Sequence, residues 1–288
     1  MSVIKKPAEK SRVAAEAAEL FSLEGRTAIV TGALGLLGHE HCLALASAGA
    51  NVIVLDLDDD GCGVFASELS DRFERTTFGV GTDITSRTSL RAACEYVLAE
   101  FGRIDVLVNN AAVNDKFENP LMAMELSGFE QYPLDAWERS IQVNLTGTFL
   151  TSQIFGAEMA RVGNGSIINV ASTYAMVAPD QRLYQRPDGI QAFLKSPAYS
   201  TTKGAILAFT KYLAAYWGNR GVRVNSLSPG GVENGQENYF IENYANRTML
   251  GRMAQPADYR GALMFLASDA SSYMTGANLV VDAGWTAW

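Results

Sequence analysis

The sequence predicts an α/β protein built as a doubly wound parallel sheet of about seven strands with helices on both faces. Three observations carry this. From Leu23 onward short β-branched runs alternate with longer helical patterns, the runs are almost continuously apolar, and a glycine-rich turn follows the first of them. Strands apolar at every position belong to a parallel sheet covered on both sides, and such alternation closes through right-handed crossovers. The expected strands are Thr27–Val30, Asn51–Leu55, Thr76–Val80, Ile104–Val108, Ser166–Val170, Val222–Ser226 and Asn278–Val281. The expected helices lie near 36–48, 60–73, 86–102, 135–162, 199–219 and 257–268. No linker, repeat or low-complexity tract divides residues 23–288, which read as one domain. Residues 1–22 read as an N-terminal extension, in which Pro7 can open a helix lined by Val13, Ala14, Ala17, Ala18 and Phe21. Two stretches, 114–133 and 174–197, are too long for simple connections. Both follow strands at their carboxyl ends, where open α/β sheets bind ligands.

With 288 residues, 48% of them hydrophobic and 19% charged, the chain is long enough to close a large core without disulfides or metals. A net charge of −8 argues against nucleic acid, because phosphate binding needs clustered Lys and Arg. Cys42, Cys62 and Cys94 are odd in number and match no zinc or redox spacing, as expected of reduced thiols in a cytoplasmic protein. His39 and His41, the only histidines, are two apart and face different ways on a helix, so no metal is expected. No apolar run approaches the ~18 residues of a membrane span. The basic start at Lys5 and Lys6 leads into an Ala/Glu-rich stretch, unlike a secretory signal.

Gly32, Gly35 and Gly38 follow the first strand and open a helix. Glycines there allow a tight turn and close approach of a pyrophosphate, whose charge the helix N-terminus favours. Asp56 ends the second strand, where a carboxylate accepts from ribose hydroxyls and repels a 2′-phosphate. The turn contains no Lys or Arg, so NAD(H) is expected over NADP(H). Asp58, Asp59 and Asp60 deepen the negative field, although at least two of them suit a helix cap. Asp83 closes the third strand, and the small residues Ala111 and Ala112 follow Asn109 and Asn110 after the fourth. Tyr199 and Lys203, four apart, share one helix face. A neighbouring ammonium favours phenolate, making Tyr199 a candidate acid/base for an alcohol.

These residues, with Asn144, Ser172 and Pro229-Gly230, stand in the order and approximate spacing of the short-chain dehydrogenase/reductase family, which the chain resembles from about Leu23 to its end. The resemblance implies a Rossmann-type fold and an NAD-dependent oxidoreductase that interconverts a secondary alcohol and a ketone. It makes Tyr199 the general acid/base and Lys203 the residue that holds the nicotinamide ribose and lowers the tyrosine pKa. Ser172 bonds the substrate oxygen, and Asn144 holds a water in a proton relay. The cofactor residues it implies are Gly32, Leu34, Gly35, Leu36, Leu37, Asp56, Leu57, Asp83, Ile84, Asn110, Ala111, Ala112, Pro229, Gly230 and Val232, together with Tyr199 and Lys203. It also implies a homotetramer, or a dimer, joined through helices 135–162 and 199–219 and the C-terminal strand, with Phe209, Leu213, Tyr216 and Trp217 offering apolar contact.

Three departures stand out. The middle glycine is Gly35, where the common single-domain pattern puts it at Leu36; that spacing resembles the sugar-nucleotide epimerase branch and keeps an epimerase or dehydratase as an alternative. A non-catalytic dinucleotide sensor is a further alternative, although such proteins generally lose the Tyr or the Lys. The family's carboxamide-contacting threonine falls at Asn234, and Ser172 lies about twice the usual distance before Tyr199. The intervening insertion is rich in hydrogen-bonding types, with Tyr174, Arg182, Tyr184 and Arg186 as candidate substrate residues. A polar, sugar-like alcohol or ketone is therefore expected, in keeping with a similarity to bacterial gluconate-type and surface-sugar dehydrogenases.

Overall fold

The computed structural model describes residues 16, 18–114, 124 and 126–288. Seven strands form one sheet: β1 (Thr27–Thr31), β2 (Asn51–Asp56), β3 (Thr77–Gly81), β4 (Val106–Asn109), β5 (Gly165–Val170), β6 (Val222–Pro229) and β7 (Asn278–Val281). All neighbours are parallel, in the order β3-β2-β1-β4-β5-β6-β7. The order reverses between β1 and β4, which opens a crevice at the carboxyl ends. Each expected strand is present, with ends shifted by up to three residues.

The helices are α1 (Leu36–Ser47), α2 (Asp59–Phe73), α3 (Arg87–Phe101), α4 (Leu134–Ser140), α5 (Thr148–Val162), α6 (Pro197–Trp217), α7 (Asn238–Ala245) and α8 (Arg260–Ala267). Alternation along each strand separates two cores. Val30, Val54 and Val108 meet Leu45 of α1, Leu69 of α2 and Leu266 of α8. Ile29, Leu55 and Leu107 meet Leu90 of α3, Phe155 of α5 and Trp217 of α6. Helix starts follow local chemistry. Asp58 caps α2 by accepting from the Gly61 N–H at 3.1 Å, Ser86 caps α3, and Ser196 caps α6 by accepting from the Tyr199 N–H at 3.3 Å. Proline at the first position of α6 suits that start and explains why the helix begins at Pro197 rather than Tyr199.

Three expectations change. The long helix over 135–162 is broken by a π-helical turn, Ile141–Gly147, between α4 and α5. Helix α7 was not expected. In the N-terminal extension, Val13, Ala14 and Ala17 lie outside the described residues, and Phe21 is exposed. The two long connections also differ: most of the first lies outside the described residues, while the second is built from short helical turns at Thr173–Ala175 and Gln181–Tyr184 and a bridge from Gln185 to Gln191.

All three cysteines are buried and unpaired, and burial pushes their thiols well up, to about 11 for Cys62 and Cys94. Among the described residues there is no metal-ligating cluster, and no helix is long and apolar enough to cross a membrane. His41 is fully buried on α1, neither ring nitrogen has a hydrogen-bond partner, and burial lowers its pKa to about 4. The unfolded chain therefore takes up a proton near pH 6.5 that the folded chain refuses. Its contribution to stability is intact above pH 6.5 and lost as pH falls toward 4. Chemical denaturation at pH 5 should find His41→Leu closer to its pH 7 stability than the parent by about 2 kcal/mol; equal pH slopes would contradict this.

Candidate active site

The glycine turn is fixed by packing before any ligand is considered. Gly32 has φ +62°, and a Cβ there would lie 2.6 Å from the Ala111 Cα. At Gly38 a Cβ would collide with the Gly32 carbonyl oxygen. Asn110 locks the turn by donating from Nδ2 to the carbonyls of Thr31 at 3.1 Å and Gly32 at 2.9 Å. The Thr31 hydroxyl in turn accepts from the Asn110 and Ala111 N–H groups. Gly35 is different: a Cβ would meet only the Gly32 carbonyl, at 3.3 Å. It precedes α1, whose first turn has neither a capping side chain nor an acidic residue. Free N–H groups and the helix dipole thus face open space.

Asp56 stands across the turn at the end of β2. It accepts from the Leu34 N–H at 3.0 Å and the Leu57 N–H at 2.8 Å, so turn and acid are held in register. The Leu57 side chain is exposed. Asp58 and Asp59 are engaged locally, at the α2 cap and at the Gly81 N–H. Asp83 is exposed, with one oxygen taken by Thr85. Ile84 is buried against Gly147 of the π turn, and Ala112 is exposed where the chain leaves β4.

A cleft of about 350 Å³ opens beside this turn, lined by Leu36 and Leu37 from α1, Ser172, Tyr199, and Pro229, Gly230 and Val232 after β6. Ser172 follows β5, accepts from the Tyr174 N–H at 3.2 Å, and is buried. Tyr199 lies in the first turn of α6. Burial pushes its phenol above the ordinary tyrosine value, and a hydrogen bond from Ser172 draws it partly back. Lys203 follows one turn later and is 5% exposed; its Nζ donates to the Val170 carbonyl at 2.6 Å and lies 5.9 Å from the Tyr199 ring centre. Burial, helped by Lys195, lowers its pKa to about 8. Tyr199 lines the cleft, and Lys203 lies behind it on the same helix. The expected lowering of the phenol pKa by Lys203 is not seen: burial sets the direction and the Ser172 hydrogen bond opposes it.

Asn144 sits in the π turn and is 2% exposed. Its Oδ1 accepts from the Val113 N–H at 2.7 Å, and its Nδ2 donates to the Val113 carbonyl at 3.0 Å and to Thr202 at 3.2 Å. The side-chain amide thus braces the β4 exit against α6 beside Lys203, rather than reaching the lysine. Asn109 is also structural: it bonds Ser152, Asn169 and Thr151.

The insertion divides the expected substrate residues. Tyr174 and Tyr184 line the cleft and hydrogen-bond each other; burial raises both phenols, Tyr184 to about 12. Arg182 and Arg186 do not line it. Arg182 pairs with Asp180 on the outer face, with 81% of its side chain exposed, and both arginines border a separate cavity. Asp180 also pairs with Arg247, so that ion-pair cluster holds Arg182 on the outer face. The cleft adds residues that the sequence reading missed, including Lys195, Asn114, Gln236, Phe240 and Tyr244. Tyr244 is held by accepting from the Gly231 N–H at 2.5 Å and by stacking on Trp285 at 4.3 Å. The i, i+4 aromatic pair Phe240 and Tyr244 was the available signal.

Residues 26–185 match the family model described as short chain dehydrogenase, and residues 188–286 the model described as enoyl-(acyl carrier protein) reductase. A D-threitol dehydrogenase of Mycolicibacterium smegmatis is 37% identical over 272 residues, covering 92% of this chain and 95% of its own. A 3-alpha-(or 20-beta)-hydroxysteroid dehydrogenase of Mycobacterium tuberculosis is 34% identical over 265 residues, covering 92% and 91%. The crystal structure of a gluconate 5-dehydrogenase from Burkholderia cenocepacia, in complex with NADP and tartrate, superposes with a TM-score of 0.82 at 30% identity, covering 94% of this chain and 99% of that one.

Proposed function

The chain belongs to the short-chain dehydrogenase family, and we propose that it interconverts a secondary alcohol and a ketone on a polar, sugar-like substrate. The observation that carries this is the convergence of Ser172, Tyr199 and the glycine turn on one cleft, with Lys203 behind it. The turn fits a dinucleotide: α1 begins uncapped, Gly35 leaves room, and Asp56 stands opposite. A bound nicotinamide supplies the hydride acceptor or donor. In oxidation Tyr199 takes the hydroxyl proton, Ser172 holds the substrate oxygen as its charge changes, and Lys203 places a positive charge beside both. In reduction Tyr199 gives the proton back. Asn110 and Asn144 keep the turn and α6 in position. The amide, hydroxyl and ammonium groups of Asn114, Thr173, Lys195 and Gln236 at the cleft favour a polyhydroxylated substrate over a steroid. A screen of polyols, sugar acids and steroids at 340 nm tests the reading. Many turnovers of net nicotinamide reduction on polar alcohols are expected; conversion of a sugar nucleotide without net reduction would favour the epimerase alternative.

We infer NAD(H) over NADP(H) from Asp56, since a carboxylate there repels a 2′-phosphate. The ratio of kcat/KM for NAD to that for NADP should exceed one in the parent and fall at least tenfold in Asp56→Ala; an unchanged ratio would remove the argument. We also infer a tetramer formed through α5 and α6. Leu213 and Trp217, expected at such a contact, are buried in the core, but Tyr212 and Tyr216 stack on the outer face of α6 at 6.0 Å, 62% and 56% exposed. Sedimentation should show a smaller particle for the double variant Tyr212→Glu, Tyr216→Glu; a parent that sediments as a monomer would refute the assembly.

A further inference from the structure

Where the chain leaves β6, three successive peptides line the cleft. The first is tied to the sheet, the Gly230 N–H donating to the Val281 carbonyl at 2.9 Å, and the third is tied by its Gly231 carbonyl, which accepts from the Ala254 N–H at 2.9 Å. The peptide between them, from Gly230 to Gly231, is met instead by two tyrosines. Its carbonyl accepts from the Tyr259 hydroxyl at 3.2 Å, and its N–H donates to the Tyr244 hydroxyl at 2.5 Å. Tyr244 comes from α7 and Tyr259 from the short helical turn Pro256–Tyr259 that precedes α8. A peptide flanked by two glycines rotates more freely than any other, because neither side has a Cβ to restrict it. Bonds at both of its ends fix its plane. The packing in turn demands the glycines. A Cβ at Gly231 would meet the Tyr244 ring at 2.4 Å, and one at Gly230 would meet the Asp282 Cα at 2.9 Å.

We propose that Tyr244 and Tyr259 are positioning residues, a clamp that holds the Gly230–Gly231 peptide in one orientation and so sets the wall against which the nicotinamide is placed. This rests on the oxidoreductase reading above, with Pro229, Gly230 and Val232 bordering the cofactor. Both tyrosines are buried, Tyr244 to 4% and Tyr259 to 0% exposure. A buried phenol is costly unless its hydroxyl is paired, and for both the pairing is to this one peptide. Burial also pushes both phenols up, so Tyr259 keeps the proton that it donates. The footings of the clamp are themselves held. Tyr244 stacks on Trp285 at 4.3 Å, and in the turn that carries Tyr259 the Gln255 N–H donates to Asp258 at 2.8 Å. Thr173, the neighbour of Ser172, hydrogen-bonds the Tyr244 phenol as well, which ties the wall to the loop that presents Ser172. In this role the two phenols exchange no proton with substrate; they act through the turn.

The test uses the full-length protein with NAD and with ADP-ribose, which lacks the nicotinamide. Calorimetric affinity for each is measured in the parent, Tyr244→Phe, Tyr259→Phe and the double variant. Melting curves control for folding, and kcat is taken on an alcohol that the parent oxidises. ADP-ribose should bind every variant within about twofold of the parent, because the glycine turn and Asp56 are untouched. Affinity for NAD relative to ADP-ribose should fall about threefold or more in each single variant, and kcat about tenfold, since small misplacements of reacting groups are costly. The double variant should lose less than the product of the single losses, because both bonds hold one peptide plane. Tyr244→Phe keeps the ring on Trp285 and carries the test by itself if Tyr259→Phe does not fold. An equal loss on NAD and ADP-ribose, as a merely structural role gives, would overturn the proposal, and so would a parental kcat in Tyr244→Phe or losses that multiply. If the parent turns over with NAD while Tyr244→Phe keeps the parental ratio, only this inference fails. If the parent binds neither probe and oxidises no alcohol, the reading beneath it fails as well.

Discussion

Replacing Gly38 by alanine should weaken dinucleotide binding by 100-fold or more and lower the melting temperature. The added methyl would run into the Gly32 carbonyl, lie 2.8 Å from the Ala33 Cα and 2.9 Å from Asn110 Nδ2. Two of those three neighbours are main chain and cannot swing aside, so the turn must open. Asn110 then loses its hold on the Thr31 and Gly32 carbonyls, and overpacking of this kind costs roughly 1–3 kcal/mol. Gly35→Ala is the control, because its methyl meets only the Gly32 carbonyl, at 3.3 Å. It should melt close to the parent yet still lose affinity, since that methyl stands at the uncapped start of α1, where a pyrophosphate would be held. Calorimetric titration with NAD and thermal melts measure both. Parent-like binding by Gly38→Ala would place the dinucleotide elsewhere.

Tyr199→Phe should reduce kcat by about 10³-fold, near 4 kcal/mol of transition-state stabilisation, while leaving dinucleotide affinity within a few-fold. The phenylalanine keeps the ring beside Lys195 and Lys203 and removes only the hydroxyl proposed to exchange the proton. Ser172→Ala should cost less, on the order of 10²-fold, because it removes one donor to the substrate oxygen. Single-turnover absorbance at 340 nm with bound NAD separates these losses from binding. A Tyr199→Phe enzyme with parent-like kcat would assign proton transfer to another group.

The sheet was readable because strands covered on both faces carry their signal in every residue. The placement of the candidate residues was readable wherever fixed spacings set it, as at Gly32, Gly38, Tyr199 and Lys203. What escaped depends on partners distant in sequence. The 3.6-residue pattern runs through 141–147 unbroken, so the π turn left no local mark. Helix α7 has mixed polar composition and is held by tertiary contacts, Phe240 on Tyr184 and Tyr244 on Trp285. Within the insertion the sequence offers several cations without saying which faces inward. Arg182 pairs with Asp180 on the outer face, whereas hydrogen bonds to Gln181 hold the Lys195 backbone at the cleft.

If Tyr199 and Lys203 exchange protons as one pair, the pH dependence of kcat/KM for alcohol oxidation will show it. The buried phenol alone lies above the ordinary tyrosine value, whereas Lys203 is drawn down to about 8. Interacting groups lose protons in steps that belong to the pair. Oxidation needs the deprotonated pair, so the parent profile should rise with pH through an inflection near 8, and the reduction profile should fall through it. In Lys203→Met the group near 8 is gone and only the raised phenol remains, so no inflection should appear below pH 10. A Lys203→Met profile that keeps the inflection near 8 would contradict the account.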